Sequence, residues 1–110
     1  MDSAFDAHAI DIALEPLPVD QCPDGPVSTG LAVLARTDAY EVGVWEHTAG
    51  RSTDIETDEV FVVISGSGRV LLENGDVLDL APGTVGVLYA GTRTTWVIDE
   101  PLRKVWIVER

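Results

Sequence analysis

The chain has 110 residues, 45% apolar and 24% charged, and its 19 acidic against 7 basic residues give a net charge of −12. That length suits one domain, which buries roughly two thirds of the surface its unfolded chain exposes. The negative charge repels phosphate backbones and anionic lipid, so neither nucleic acid nor a membrane is an expected partner, and no apolar run nears the roughly 20 residues that span a bilayer.

The first residues, MDSAFDAHAIDIAL, carry acidic groups where a secretory signal has basic ones, and the lone Cys22 leaves no internal disulfide to form. A cytoplasmic location is expected. Residues 1–30 start polar and hold Pro16, Pro18, Pro23 and Pro26, which predicts an arm with one short strand around Ile10 to Leu14, ahead of a barrel over residues 31–110. Such arms can pack across a neighbouring subunit, so a homodimer is expected.

From Leu31, LAVLART and YEVGVWEHT are rich in β-branched and aromatic residues and read as two hairpin strands around Asp38-Ala39. The polar segment from Ala49 to Asp58 reads as an irregular loop. Between Asp58 and Gly91 lie four short apolar runs, punctuated by Ser65-Gly66-Ser67-Gly68, Asn74-Gly75 and Pro82-Gly83. The Asn-Gly pair predicts a two-residue type I′ turn. TTWVI and RKVWIVE, joined by Asp99-Glu100-Pro101-Leu102, close the chain. About nine strands, no helix and closely spaced turn signals together predict an all-β sandwich or barrel.

Glu59 followed by Gly66, and Gly83 followed by Tyr89-Ala90-Gly91, resemble the ends of the two cupin motifs. Within that superfamily the chain is similar to the small ureidoglycine aminohydrolase and ethanolamine-utilisation type domains. The likeness rests on Gly43-Val44-Trp45-Glu46, Asp58-Glu59, Pro82-Gly83-Thr84, Gly91-Thr92 to Trp96, and Pro101-Leu102-Arg103-Lys104, in that order. It implies an RmlC-like cupin jelly-roll β-barrel with a pocket facing its interior.

Cupin metal sites typically combine three histidines and a glutamate. Counted from Glu59 and Gly91, the histidine positions fall at Thr53 and Ile55, or Ser52 and Asp54, and at Thr94, and none is a histidine. Glu59 with neutral hydroxyls would hold a transition metal poorly, so no tightly held metal is expected, and weak divalent binding stays open. His8 lies in the arm and should be exposed. His47 shares a strand face with Trp45, which allows it to meet Glu59 as a proton-transfer pair or to be a strand-end histidine held by hydrogen bonds.

Glu59 itself needs a partner if buried, and Arg93 or Arg103 could supply it; alternatively its carboxylate positions a ligand or acts as a general base. Arg93, Arg103 and Lys104 are also the basic groups that could meet an anion in a buried pocket. Trp45, Trp96 and Trp106, with Phe61 and Tyr89, could floor the pocket by stacking or be plain core. The run Asp54, Glu56, Asp58 and Glu59 lacks the spacing of a calcium loop and reads as a solvated acidic loop. The expected function is binding of a small polar metabolite in the barrel without a tightly held metal, with Glu59 and His47 as catalytic candidates. The alternatives are a metal-dependent enzyme resembling ureidoglycine aminohydrolase and a non-catalytic structural or regulatory subunit.

Overall fold

The computed structural model describes residues 2–110 and contains eight strands and one short 3₁₀ turn, Val19–Gln21. The strands are β1 (Glu15–Pro16), β2 (Ser28–Arg36), β3 (Tyr40–His47), β4 (Gly50–Ile55), β5 (Glu59–Leu72), β6 (Val77–Leu80), β7 (Val85–Leu88) and β8 (Arg93–Glu109). All pairings are antiparallel. Among the described residues no helix is long and apolar enough to cross a membrane.

Two long strands organise the barrel. β5 and β8 pair from Val60↔Ile107 to Leu72↔Thr94, and each passes from one sheet into the other on the way. The first sheet runs β1-β2-β3-β8-β5-β7, using the second half of β8 and the first half of β5. The second runs β4-β8-β5-β6 and uses the other halves. Their inner faces meet in a core of Phe61, Val63, Val70, Leu80, Leu88, Trp96, Ile98, Leu102 and Trp106. Two stacked sheets of alternating inward and outward residues form the sandwich or barrel that the strand pattern predicts, in the jelly-roll arrangement that the resemblance implies.

Four local expectations are corrected. Ser65-Gly66-Ser67-Gly68 does not end a strand: β5 runs straight through it, and the opposing stretch Asp99 to Leu102 likewise lies within β8. Slipped register between Val63 and Gly68 makes this a bulged corner, so a polar glycine-rich stretch bends the pair without breaking it. The segment predicted as a loop from Ala49 contains β4, whose polar residues pair with β8 from Gly50↔Ile98 to Ile55↔Arg93. Its hydrophilic composition hid a strand because much of its surface meets a cavity or solvent rather than core.

The Asn74-Gly75 turn is not type I′, since no residue other than glycine has positive φ. Gly75 alone does, at 95°, and its N–H bonds to the Leu72 carbonyl while Leu72 N–H bonds to Asp76 O, which makes a three-residue loop. The Asn74 side chain accepts from Asp76 N–H at 2.9 Å, an Asx contact that favours this longer turn. In the arm, Ile10 to Leu14 is not a strand; the pairing falls at Glu15–Pro16 with Ser28 and Thr29. The preceding residues lie instead against the molecule's own barrel, where a Cβ on Gly30 would collide with the Ala13 carbonyl.

The corner has a sharp steric requirement. Gly66 has φ of 86°, and a Cβ there would collide with the Pro101 carbonyl and lie 2.6 Å from Leu102 Cα. Gly75 has a similar φ with nothing within 4 Å. Positive φ alone costs an L-residue roughly 1–2 kcal/mol. Gly66→Ala is therefore expected to lose more stability than Gly75→Ala, by roughly 2 kcal/mol or more, in urea unfolding. Equal losses would show that the corner is not tightly packed.

Candidate functional site

β3, β4, β5 and β8 direct side chains into a cavity of about 490 Å³ lined by, among others, Trp45, Thr53, Glu56, Glu59, Trp96 and Lys104. Leu17 and Gln21, from the segment holding the 3₁₀ turn, also line it, and the Gln21 amide donates to the Thr53 carbonyl at 3.1 Å. This contact joins the arm segment to β4.

The floor is an ion pair. Lys104 Nζ lies 2.7 Å from Glu59 Oε2, with side-chain exposures of 5% and 16%. The same ammonium sits 4.5 Å from the centre of the Trp45 ring, 4.7 Å from Phe61 and 4.5 Å from Trp96. Three aromatic faces and one carboxylate thus surround it, a favourable setting for a desolvated cation. The rings also pack on one another: Trp45 and Trp96 centroids are 5.2 Å apart, and Phe61 and Trp96 5.8 Å. Neither Arg93 nor Arg103 partners Glu59. Lys104 takes that role because alternation along β8 places Leu102, Lys104 and Trp106 on the inner face and Arg103 on the outer one.

Arg103 is instead a latch. Its guanidinium bonds Glu46 Oε1 at 3.0 Å and donates to the carbonyls of Ala7, His8 and Ile10 at 3.0, 3.1 and 2.8 Å. These bonds fix the arm on the outside of the barrel. Arg93 is exposed on an adjoining depression with Glu73 and Thr94, which borders the cavity along Gln21, Thr53, Asp54 and Ile55. Tyr89 is 69% exposed and lies outside the cavity as well. Thr53, Ile55, Trp45 and Trp96 do line it, whereas Phe61 is fully buried beneath it.

His47 is fully buried, with its ring 5.3 Å from that of Trp45. Its Nδ1–H donates to the Thr48 carbonyl at 2.6 Å, which leaves Nε2 to accept from the Ser52 hydroxyl at 2.8 Å. A carbonyl can only accept, so Nδ1 carries a proton, and burial disfavours a second one on Nε2, which then accepts from the hydroxyl. Both nitrogens are occupied and neither reaches Glu59, so the proton-transfer pair is not formed. Burial holds this imidazole below its usual range; the Thr48 bond opposes the shift and the Lys104 charge adds to it.

The acidic run is divided rather than uniformly solvated. Asp54 and Glu56 line the cavity, while Asp58 accepts from Ala90 N–H at 2.8 Å. Glu56 accepts from the Thr94 hydroxyl at 3.3 Å. Burial, then the neighbouring Asp54 carboxylate, pushes the Glu56 carboxyl above the usual glutamate range; Glu59 adds to this, and Lys104 and a bond from Trp96 oppose it. From sequence, Ser52 is reached only as an alternative histidine position and Glu56 only within the acidic run, because parity along a strand cannot be applied to a segment read as a loop.

For a metal the donor set is a poor fit. Among the described residues no three His, Cys, Asp or Glu side chains converge as ligands. The Glu59 carboxylate carries an ammonium, and Thr94, at one expected histidine position, is committed to Glu56.

The EutQ-like cupin domain model matches residues 34–106. The chain is an EutQ-like cupin. Of the two groups the sequence resembles, the match names the ethanolamine-utilisation type. No match was found among curated proteins. Among solved structures, this cupin is similar to the Clostridium difficile EutQ protein, with a TM-score of 0.69, 13% identity, and coverage of 86% of this chain and 79% of that one. It is also similar to ectoine synthase from P. lautus, with a TM-score of 0.65, 19% identity, and coverage of 72% and 62%. A Pseudomonas syringae protein of unknown function gives a TM-score of 0.74 at 20% identity over 90% of this chain, which spans 44% of that one. At these identities the likeness concerns the fold, and the neighbours' activities differ.

The two shifted groups have opposite signs in the pH dependence of stability. Glu56 binds its proton more readily folded than unfolded, so its contribution is present below the ordinary value of 4.5 and is lost as pH rises through its raised folded value. Glu56→Gln is expected to melt above wild type near neutral pH, with the gap closing on acidification. His47 binds its proton more readily unfolded, so stability falls as pH drops through 6.5 toward its lowered folded value. His47→Gln should be less stable overall but show a flatter profile in that window. Thermal melts across the acidic to neutral range check both, and parallel profiles for all three proteins would contradict these assignments.

Proposed function

We propose that this cupin binds a small polar metabolite inside the barrel, without a tightly held metal. The observation that carries the reading is the Lys104–Glu59 pair at the cavity floor: the one carboxylate retained from the metal motif is engaged by an ammonium at 2.7 Å. A cavity of about 490 Å³ suits a small molecule. Its walls supply indole faces from Trp45 and Trp96, and its polar groups include both donors and acceptors: the Lys104 ammonium, the Gln21 amide, the Thr53 hydroxyl and the carboxylates of Asp54 and Glu56. Apolar walls with a few placed polar groups are the usual make-up of a metabolite site.

Two measurements test the proposal. Metal analysis of protein purified without added metal should find Mn, Fe, Zn and Ni far below one per chain; a stoichiometric ion would defeat the reading. A thermal-shift screen of ureides, amino alcohols, sugars and small carboxylates should give at least one stabilising compound. Its affinity should fall about tenfold or more, roughly 1.4 kcal/mol, in Glu59→Gln and stay unchanged in Arg93→Ala, whose side chain lies outside the cavity. Equal affinity in Glu59→Gln would remove that carboxylate from the site.

A further inference from the structure

Resting on the metal-free reading, we infer that Lys104 is the resident cation of the barrel: its ammonium occupies an ammonium-recognition box built from Glu59, Trp45, Phe61 and Trp96, in place of the metal that the fold implies. The box has the two components that recognise an organic ammonium, a carboxylate and several aromatic faces. The carboxylate lies 2.7 Å from Nζ, and the three ring centres lie within 4.7 Å of it. A transition metal needs lone pairs from several nitrogen, sulfur or oxygen ligands, and ring faces offer none. The surroundings of Glu59 therefore suit a monovalent ammonium and discriminate against a divalent ion.

The positions from which further metal ligands would come agree with this. Thr94 gives its hydroxyl to Glu56, Thr53 offers only a neutral hydroxyl, the Ile55 side chain has no donor atom, and the barrel's own histidine is bound at both nitrogens by Thr48 and Ser52; among the described residues no three His, Cys, Asp or Glu side chains converge. The positive charge at the cavity floor is thus a covalent part of the chain. It is present at every metal concentration.

Chemical rescue tests the assignment. Lys104→Ala removes three methylenes and the amine, the equivalent of n-propylammonium. The variant should melt well below wild type, and n-propylammonium chloride at millimolar concentrations should recover at least half of the lost melting temperature while leaving wild type unmoved. n-Propanol, which fills the same space without charge, should recover much less, and Glu59→Gln in the Lys104→Ala background should abolish the recovery. Equal recovery with propanol, no recovery with propylammonium, or recovery with Zn²⁺ or Mn²⁺ would each overturn the inference.

Should Lys104→Ala fail to fold, side-chain NMR of wild type decides the point. The Lys104 ε-methylene protons should be shifted upfield by the three rings and its ammonium protons should exchange slowly, and both signatures should weaken in Glu59→Gln. Random-coil shifts with fast exchange would count against the box. A stoichiometric metal in wild type defeats the metal-free reading itself; failed rescue in a metal-free protein defeats only the role given to Lys104.

Discussion

The Lys104–Glu59 ion pair is the interaction on which the interior of this barrel depends. Either charge alone would be unfavourable inside the barrel, and removing one partner of a buried pair typically costs about 3–5 kcal/mol because the other is left uncompensated. Here the ammonium is also covered by Trp45 from β3, Phe61 from β5 and Trp96 from β8. One cation therefore fixes the relative positions of three strands. It also links the two sheets, since Lys104 lies on the half of β8 that pairs with β3, and Trp96 on the half that pairs with β4.

That linkage is possible only because β8 turns the corner of the barrel without ending. The slipped register between Val63 and Gly68 bends β5 and β8 together, and Gly66 lets the backbone of one pass against Pro101 of the other. Inward-facing parity is kept on both sides of the bend: Trp96 and Ile98 before it and Leu102, Lys104 and Trp106 after it are all buried or cavity-lining. Two tight turns in place of the bend would have allowed the halves to face differently. The bulged corner thus sets the geometry of the site as well as the shape of the fold.

How much of this was legible in the sequence depends on the kind of signal. Glycine and proline punctuation, together with β-branched runs, gave the all-β class and most strand positions, since backbone conformation is encoded locally. The same signals misled at Ser65-Gly66-Ser67-Gly68, because a glycine-rich break and a bulged corner have the same composition and differ only in what packs against them. β4 was missed for the converse reason: Arg51, Ser52, Thr53 and Asp54 look like a loop until the free edge of β8 supplies a partner. For the site, the expected partner of Glu59 is Arg93 or Arg103, although alternation in the last strand puts Lys104 on the face of Trp106. Selecting Lys104 over Arg103 as the partner of Glu59 was possible by that parity alone. The binding of Arg103 to the carbonyls of Ala7, His8 and Ile10 had no sequence signal, because those contacts use backbone atoms that every residue carries.

The placement of the ionisable groups also divides their roles. His47, the barrel's own imidazole, ties β3 to β4 through Ser52 and is kept neutral by burial, so it serves as a strut. Glu59 is bound to Lys104. Glu56 differs from both: it reaches the same cavity, its partners Thr94 and Trp96 are neutral, and burial beside Asp54 favours its protonated form. A carboxyl held in this way can donate a hydrogen bond to a ligand when protonated and accept one when ionised. Burial thus acts in opposite senses on the two groups, toward the protonated carboxyl at Glu56 and toward the neutral imidazole at His47.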